Sequence, residues 1–243
     1  MPTIYIKHAS LAYQPQIIFA NLSLTIPANQ CVALLGPSGV GKSSLLKMLA
    51  GLTPAVCGEI YADNALAIPP QIAYMAQTDL LLPWMNVLSN SMLGAKLRGT
   101  INASIKHKAI SLLTELGLHQ ALHLYPAELS GGMRQRVALA RTLMEDKDIV
   151  LMDEPFSALD ALTRYKLQNL ASEKLRNKTV FFITHDPSEA LRLANQIYIM
   201  QGEPASLTLA ASLASSAPRD LSDPELGRLQ AHLYQQLTAG SSL

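Results

Sequence analysis

The chain of 243 residues holds only 2 cysteines and 1 tryptophan, its charged fraction is 15%, and no apolar stretch approaches the ~18 residues that cross a bilayer. Each shortage excludes something. Cys31 and Cys57 offer neither a disulfide framework nor a metal-ligand spacing, and Cys31, opening an apolar run, reads as a small residue of the core. The charges nearly cancel to a net +1, with no basic block, so the chain lacks the electrostatic footprint of a nucleic-acid or anionic-lipid surface. The opening residues Met1-Pro2-Thr3-Ile4-Tyr5-Ile6-Lys7 alternate like a strand and carry no signal-peptide core. A reduced, cytoplasmic protein with no nucleic-acid partner is the expectation. What is plentiful is apolar residue, at 49%, which points to apolar surface kept for partners.

The length suits one large domain, or a domain with an inserted subdomain. Short β runs fill the first third, at 3–6, 22–26, 31–35 and 71–75. Cys31-Val32-Ala33-Leu34-Leu35 is continuously apolar, as a strand buried on both faces should be, and runs through a glycine loop into a helix over 42–50. Ile149-Val150-Leu151-Met152 and Val180-Phe181-Phe182-Ile183 have the same buried character. From Thr78 to Leu129 the pattern turns helical, with one helix over 105–116 and a short second one over 118–124. This predicts an α/β core carrying a helical insertion. The tail is rich in Ala, Ser and Pro, then offers the capping box Ser222-Asp223-Pro224-Glu225 and a stripe of Leu226, Leu229, Leu233 and Leu237 that should dock on the core.

Two segments carry phosphate chemistry. Gly36-Pro37-Ser38-Gly39-Val40-Gly41-Lys42-Ser43 fits the pattern G-x-x-x-x-G-K-[ST] between a buried strand and a helix. Its glycines let the backbone wrap a β-phosphate, Lys42 reaches the β/γ oxygens, and the Ser43 hydroxyl suits Mg²⁺. Asp153, closing a buried strand, sits where a metal partner belongs, and Glu154 one residue on can orient or deprotonate an attacking water. His185, at the carboxyl edge of another core strand, is placed for a γ-phosphate contact. His119 and His123 lie i, i+4 apart, but with no third ligand nearby they read as a solvated face. The second segment, Leu129-Ser130-Gly131-Gly132-Met133-Arg134-Gln135-Arg136, opens a helix and makes a further anion cradle. One nucleotide needs one cradle, so the second serves a nucleotide held elsewhere, most economically on another copy of the chain.

In this order the motifs resemble the ATP-binding subunit of ABC transporters over roughly residues 3–205. The resemblance implies a P-loop NTPase (RecA-like) α/β core with an N-terminal antiparallel β subdomain and a helical subdomain inserted at about 78–135, all within 1–205, followed by a short helical tail over 206–243. It implies that Tyr13 stacks on adenine and that Gly36 through Ser43, with Ser44, form Walker A. Gln77 matches the Q-loop glutamine, touching Mg²⁺ or the attacking water. Ser130, Gly131 and Gly132 are signature residues, with Met133 where glutamine is commoner; Asp153 and Glu154 close Walker B, Asp160 ends the D-loop, and His185 is the switch histidine. It further implies ATP and Mg²⁺, ATP hydrolysis and a head-to-tail homodimer. The resemblance also implies integral-membrane permease subunits and a periplasmic or surface solute-binding protein in the assembly, with the chain itself on the inner face of the cell membrane.

Met133-Arg134-Gln135-Arg136, Leu82-Pro83-Trp84 and the run 153–160 are similar to the nitrate/sulfonate/taurine importer group. Within it, residues 73–84 and 138–146 most resemble subunits importing hydroxymethylpyrimidine, a thiamine precursor. The resemblance implies that Thr78-Asp79-Leu80-Leu81-Leu82-Pro83-Trp84-Met85 is a groove for a short permease helix rather than only core, since the family places its coupling surface here, and the lone Trp with Leu and Met suits such an anchor. A soluble ABC ATPase of DNA repair or the ribosome is opposed by the near-neutral charge and by the lack of long insertions or tandem domains, and a non-hydrolysing regulator by Glu154 and His185.

Overall fold

The computed structural model describes residues 1–239. The core is a six-stranded sheet built from β3 (Cys31–Leu35), β5 (Ile72–Met75), β6 (Ile149–Asp153), β7 (Thr179–Ile183), β8 (Gln196–Gln201) and β9 (Ser206–Ser212), in the order β5-β6-β7-β3-β8-β9. All pairs are parallel except β8 with β9. The apolar strands place alternate residues on opposite faces. Ala33, Leu35, Val150, Met152, Val180 and Phe182 pack on one side, and Val32, Leu34, Ile149, Leu151, Phe181 and Ile183 on the other.

The second face is covered by α1 (Lys42–Leu49) and by an antiparallel sheet of β1 (Ile4–Tyr13), β2 (Gln16–Ile26) and β4 (Cys57–Ala62), ordered β2-β1-β4. This is the expected N-terminal β subdomain, with β1 and β2 longer than their apolar patches. The first face takes the helical insertion: α2 (Val87–Ser91), α3 (Leu93–Leu97), α4 (Ala103–Glu115) and α5 (Gly131–Met144). A helix over 118–124 does not form. Only His119–Ala121 makes one 3-10 turn, because Leu118 and Leu122 drop into the core on either side of it and no run remains to propagate.

Residues 206–212, expected to begin a helical tail, are instead β9, hydrogen-bonded to β8 along the sheet edge. The sequence SLTLAAS is poor in β-branched residues, and its pairing partner rather than its propensity makes it a strand. The helix of the tail, α8 (Pro224–Ala239), starts after Asp223, whose carboxylate accepts from the Glu225 N–H at 2.9 Å, so Asp223 and not Ser222 caps it. Its leucine stripe docks as expected: Leu226 and Leu233 are buried, Leu229 and Leu237 partly so. Beyond the helices α6 (Ala161–Lys174) and α7 (Pro187–Leu193), the buried Arg219 guanidinium donates to the carbonyls of Leu191 and Ala194 at 3.0 and 2.7 Å, tying the tail to the end of α7.

Candidate functional site

The sheet order explains how distant residues converge. β7 lies between β3 and β6, so the loop after β3, the acids after β6 and His185 after β7 emerge side by side at the carboxyl ends of parallel strands. β5 borders β6 with Met75 opposite Met152, which brings exposed Gln77 to the same rim. The hairpin of β1 and β2 folds over the loop: Ile18 lies against Gly41, and Tyr13, 48% exposed, sits near its tip. A side chain at Gly36 would collide with the carbonyl of Met200, and Gly41 has φ +109°, so both positions need glycine for the loop to close on itself.

At the loop's centre the Lys42 ammonium donates to the carbonyls of Gly36 and Pro37, each at 2.7 Å. Burial pulls its pKa below the ordinary value, opposed by the nearby charges of Glu154 and Asp153. Burial likewise pushes the Asp153 carboxyl upward, while a hydrogen bond from the Ser43 hydroxyl and the charge of Lys42 resist. Ser38 and Gly39 are exposed on the outer curve, with Val40 half-buried behind them and Ser44 in the first turn of α1. The result is a cationic, N–H-lined cradle with a hydroxyl and a buried carboxylate at its rim. It is suited to a triphosphate. Among the described residues no group of three His, Cys, Asp or Glu is placed to hold a metal ion. Ser43 and Asp153, with Gln77 near, suit Mg²⁺, which keeps waters and takes substrate phosphate oxygens.

Glu154 adopts φ +50°, a left-handed conformation unfavourable for a non-glycine residue, and its N–H donates to the carbonyl of Ile183 at 3.0 Å. That turn carries its carboxylate off the line of β6 to within 3.4 Å of His185 Nδ1. Glu154 and His185 therefore form one pair, with His185 the more exposed member at 64% against 19%.

Ser130 caps α5, its hydroxyl accepting from the Met133 N–H at 3.3 Å, and Ser130 and Gly131 are exposed with the helix N-terminus turned outward. Gly132 lies against the D-loop, where a Cβ would come 3.2 Å from the carbonyl of Ala158. Asp160 caps α6, accepting from the Thr163 N–H at 3.0 Å, and this bond holds its carboxyl below the usual range. Among the described residues, no hydrogen bond or ion pair joins residues 130–132 or Asp160 to the loop 36–44. The chain thus brings Lys42, Ser43, Asp153, Glu154 and His185 together, while Ser130 and Gly131 at the second cradle are exposed and, among the described residues, bonded to none of them.

Sequence reasoning passed over Gln135. Buried on α5, its amide N–H₂ donates to the Glu154 carbonyl at 2.9 Å and the Ser157 hydroxyl at 3.2 Å, while its oxygen accepts from the Ala158 N–H at 2.9 Å. One side chain therefore joins α5 to the turn at Glu154 and to the segment 157–158 that follows it. The signal for it was a polar residue on the apolar face of α5, among Val137, Ala138 and Leu139.

Comparison with known proteins agrees with this geometry. Residues 19–157 match the family described as ABC transporter. The chain is 42% identical to an uncharacterized ABC transporter ATP-binding protein of Haemophilus influenzae, covering 96% of this chain and 98% of that one. It is 39% identical to the taurine import ATP-binding protein TauB of Pseudomonas aeruginosa, over 92% and 89% of the two chains. The aliphatic sulfonates import ATP-binding protein SsuB 1 of Rhodococcus jostii shares 37% identity, over 93% and 89%. Among solved structures it is similar to the dimeric bacterial ABC transporter cassette MJ0796, with TM-score 0.73, 31% identity and coverage of 81% and 93%. The same cassette is also known in a post-hydrolysis state bound to ADP and Pi. With this family match and relatives at 37–42% identity over nearly their whole length, the chain belongs to the ABC transporter family and is one of its ATP-hydrolysing subunits.

Proposed function

We propose that this subunit works as a head-to-tail homodimer that energises import of a small organic sulfonate, of the taurine or alkanesulfonate class, through separate membrane permease subunits. The observation that carries the dimer is the division of the site within one chain, with one half gathered at the strand ends and an exposed anion cradle at the start of α5 that, among the described residues, makes no bond to the phosphate loop. Pairing two copies head to tail places Ser130, Gly131 and Gly132 of each over the nucleotide held by Lys42 and Ser43 of the other. Ser43 and Asp153 would hold Mg²⁺, which would neutralise phosphate charge; Glu154 activates the water and His185 steadies the γ-phosphate.

The cargo class is supported by the relatives named for taurine and sulfonate import, each matching over nine-tenths of this chain. Their names favour it over hydroxymethylpyrimidine, which rests on short stretches of resemblance alone. No described helix is long and apolar enough to cross a membrane, consistent with a peripheral subunit on the cytoplasmic side of a permease and a solute-binding protein outside. In the assembled transporter, taurine or an alkanesulfonate with its binding protein should raise ATP turnover several-fold. Stimulation by hydroxymethylpyrimidine and none by sulfonates would replace this cargo.

The loop after Gln77 is the permease surface in this reading. Trp84 is 70% exposed and Leu80 61%, while Leu81 beneath them is buried. Large exposed apolar side chains over a buried anchor make a docking site rather than core. Trp84→Ala should weaken permease binding at least tenfold in a pull-down titration and leave ATP affinity of the isolated subunit unchanged. Unaltered assembly would remove this loop from the interface.

A further inference from the structure

The exposed loop bearing Leu80 and Trp84 is not held by its neighbours in sequence alone. Arg141, in the last turn of α5, reaches across to it with both prongs of its guanidinium. Nη2 donates to the Asp79 carbonyl at 2.6 Å and Nη1 to the Leu80 carbonyl at 2.8 Å. Arg134, nearly two turns earlier on the same helix, donates from Nε to the Asp79 carboxylate at 3.0 Å and from Nη1 to the Leu129 carbonyl at 2.7 Å, beside the helix start. Leu80 between these ties is held at φ +47°, a conformation a leucine adopts only when its surroundings fix it. On the loop's far side Asn90 of α2 clamps Leu82, accepting from its N–H at 2.8 Å and donating to its carbonyl at 3.2 Å, so the loop is braced as a rigid piece.

The other end of α5 is the anion cradle, and its middle is fastened by Gln135 to the catalytic turn. A helix of 14 residues is a stiff rod, and the two arginines fix the loop to it at two points. A planar two-pronged guanidinium bound to two consecutive carbonyls fixes direction as well as distance, which a lysine does not.

We propose that Arg141, with Arg134, is a positioning residue that makes the loop 79–84 a rigid extension of the signature helix, so that closure of α5 over a partner's nucleotide is delivered directly at Leu80 and Trp84. This route runs in parallel to any path through Gln77. It deepens, and rests on, the reading of that loop as the permease surface. By reciprocity of linked equilibria, load applied at Trp84 acts back on the nucleotide-bound dimer.

The lone tryptophan makes the test possible without a permease. In a Glu154→Gln background, which holds ATP, emission and acrylamide quenching of Trp84 are recorded with and without MgATP, while light scattering follows dimer formation. The expected result is an ATP-dependent shift at Trp84 that Arg141→Met reduces at least fivefold while ATP-driven dimerisation persists. Arg134→Met, which removes the carboxylate tie and the bond to the Leu129 carbonyl but leaves both Arg141 bonds to the loop, should reduce it about twofold, and it serves if the first variant does not fold. A full shift in both variants, or no ATP response of Trp84 with both arginines present, overturns the proposal. So does loss of dimerisation in Arg141→Met, which would make Arg141 part of the nucleotide site. Failure of the docking reading is seen separately, as normal permease assembly of Trp84→Ala.

Discussion

Glu154→Gln should lower ATP turnover by about 10²–10⁴-fold, the usual range for loss of a general base, while ATP still binds and nucleotide-bound dimers accumulate. The reason is geometric. Gln keeps the shape of the side chain at the left-handed turn after β6 and the backbone bonds to Ile183 and Gln135, so the fold of the site survives. What it loses is the basic carboxylate oxygen, and with it the carboxylate contact to His185 Nδ1 at 3.4 Å. The phosphate cradle of Lys42 and Ser43 is untouched, so binding and hydrolysis separate. Steady-state ATPase and equilibrium nucleotide binding measure the two halves. Turnover within threefold of the wild type would take Glu154 out of this role.

The parts of this machine that were legible in the sequence are those whose chemistry is contiguous. The loop 36–43 announces itself because strand, glycines, lysine and hydroxyl must follow one another to wrap a phosphate. The buried run ending at Asp153 and the stripe of Leu226 and Leu233 are read from hydrophobic pattern for the same reason. The rest depends on partners far along the chain. Ser206–Ser212 becomes a strand only because β8 offers an edge, and residues 118–124 lose their helix to two leucines that the core claims. The left-handed turn at Glu154, the bridge from Gln135 and the two-pronged hold of Arg141 exist only after β6, α5 and the loop 79–84 meet. No local propensity marks them. Tyr13 and Asp160 were placed on resemblance, and the structure gives them a hairpin tip and a helix cap.

The proposal that the exposed start of α5 serves a partner's nucleotide bears the greatest weight, and two dead variants test it together. Lys42→Ala removes the cation at the loop's centre, and Ser130→Arg fills the exposed start of α5 with a bulky cation. Each homodimer should lose at least about 10²-fold of its turnover, since each then lacks an electrostatic element at both sites. Mixed in equal amounts and allowed to exchange, half of the dimers pair the intact loop of one chain with the intact signature of the other. Each of these has one complete site. ATP turnover of the mixture is the decisive measurement: a rise well above both parents, toward a quarter of the wild-type rate if the two sites fire independently, is the predicted result. A mixture no more active than its parents, with exchange confirmed, would show that each chain uses its own signature, and the head-to-tail account would be wrong.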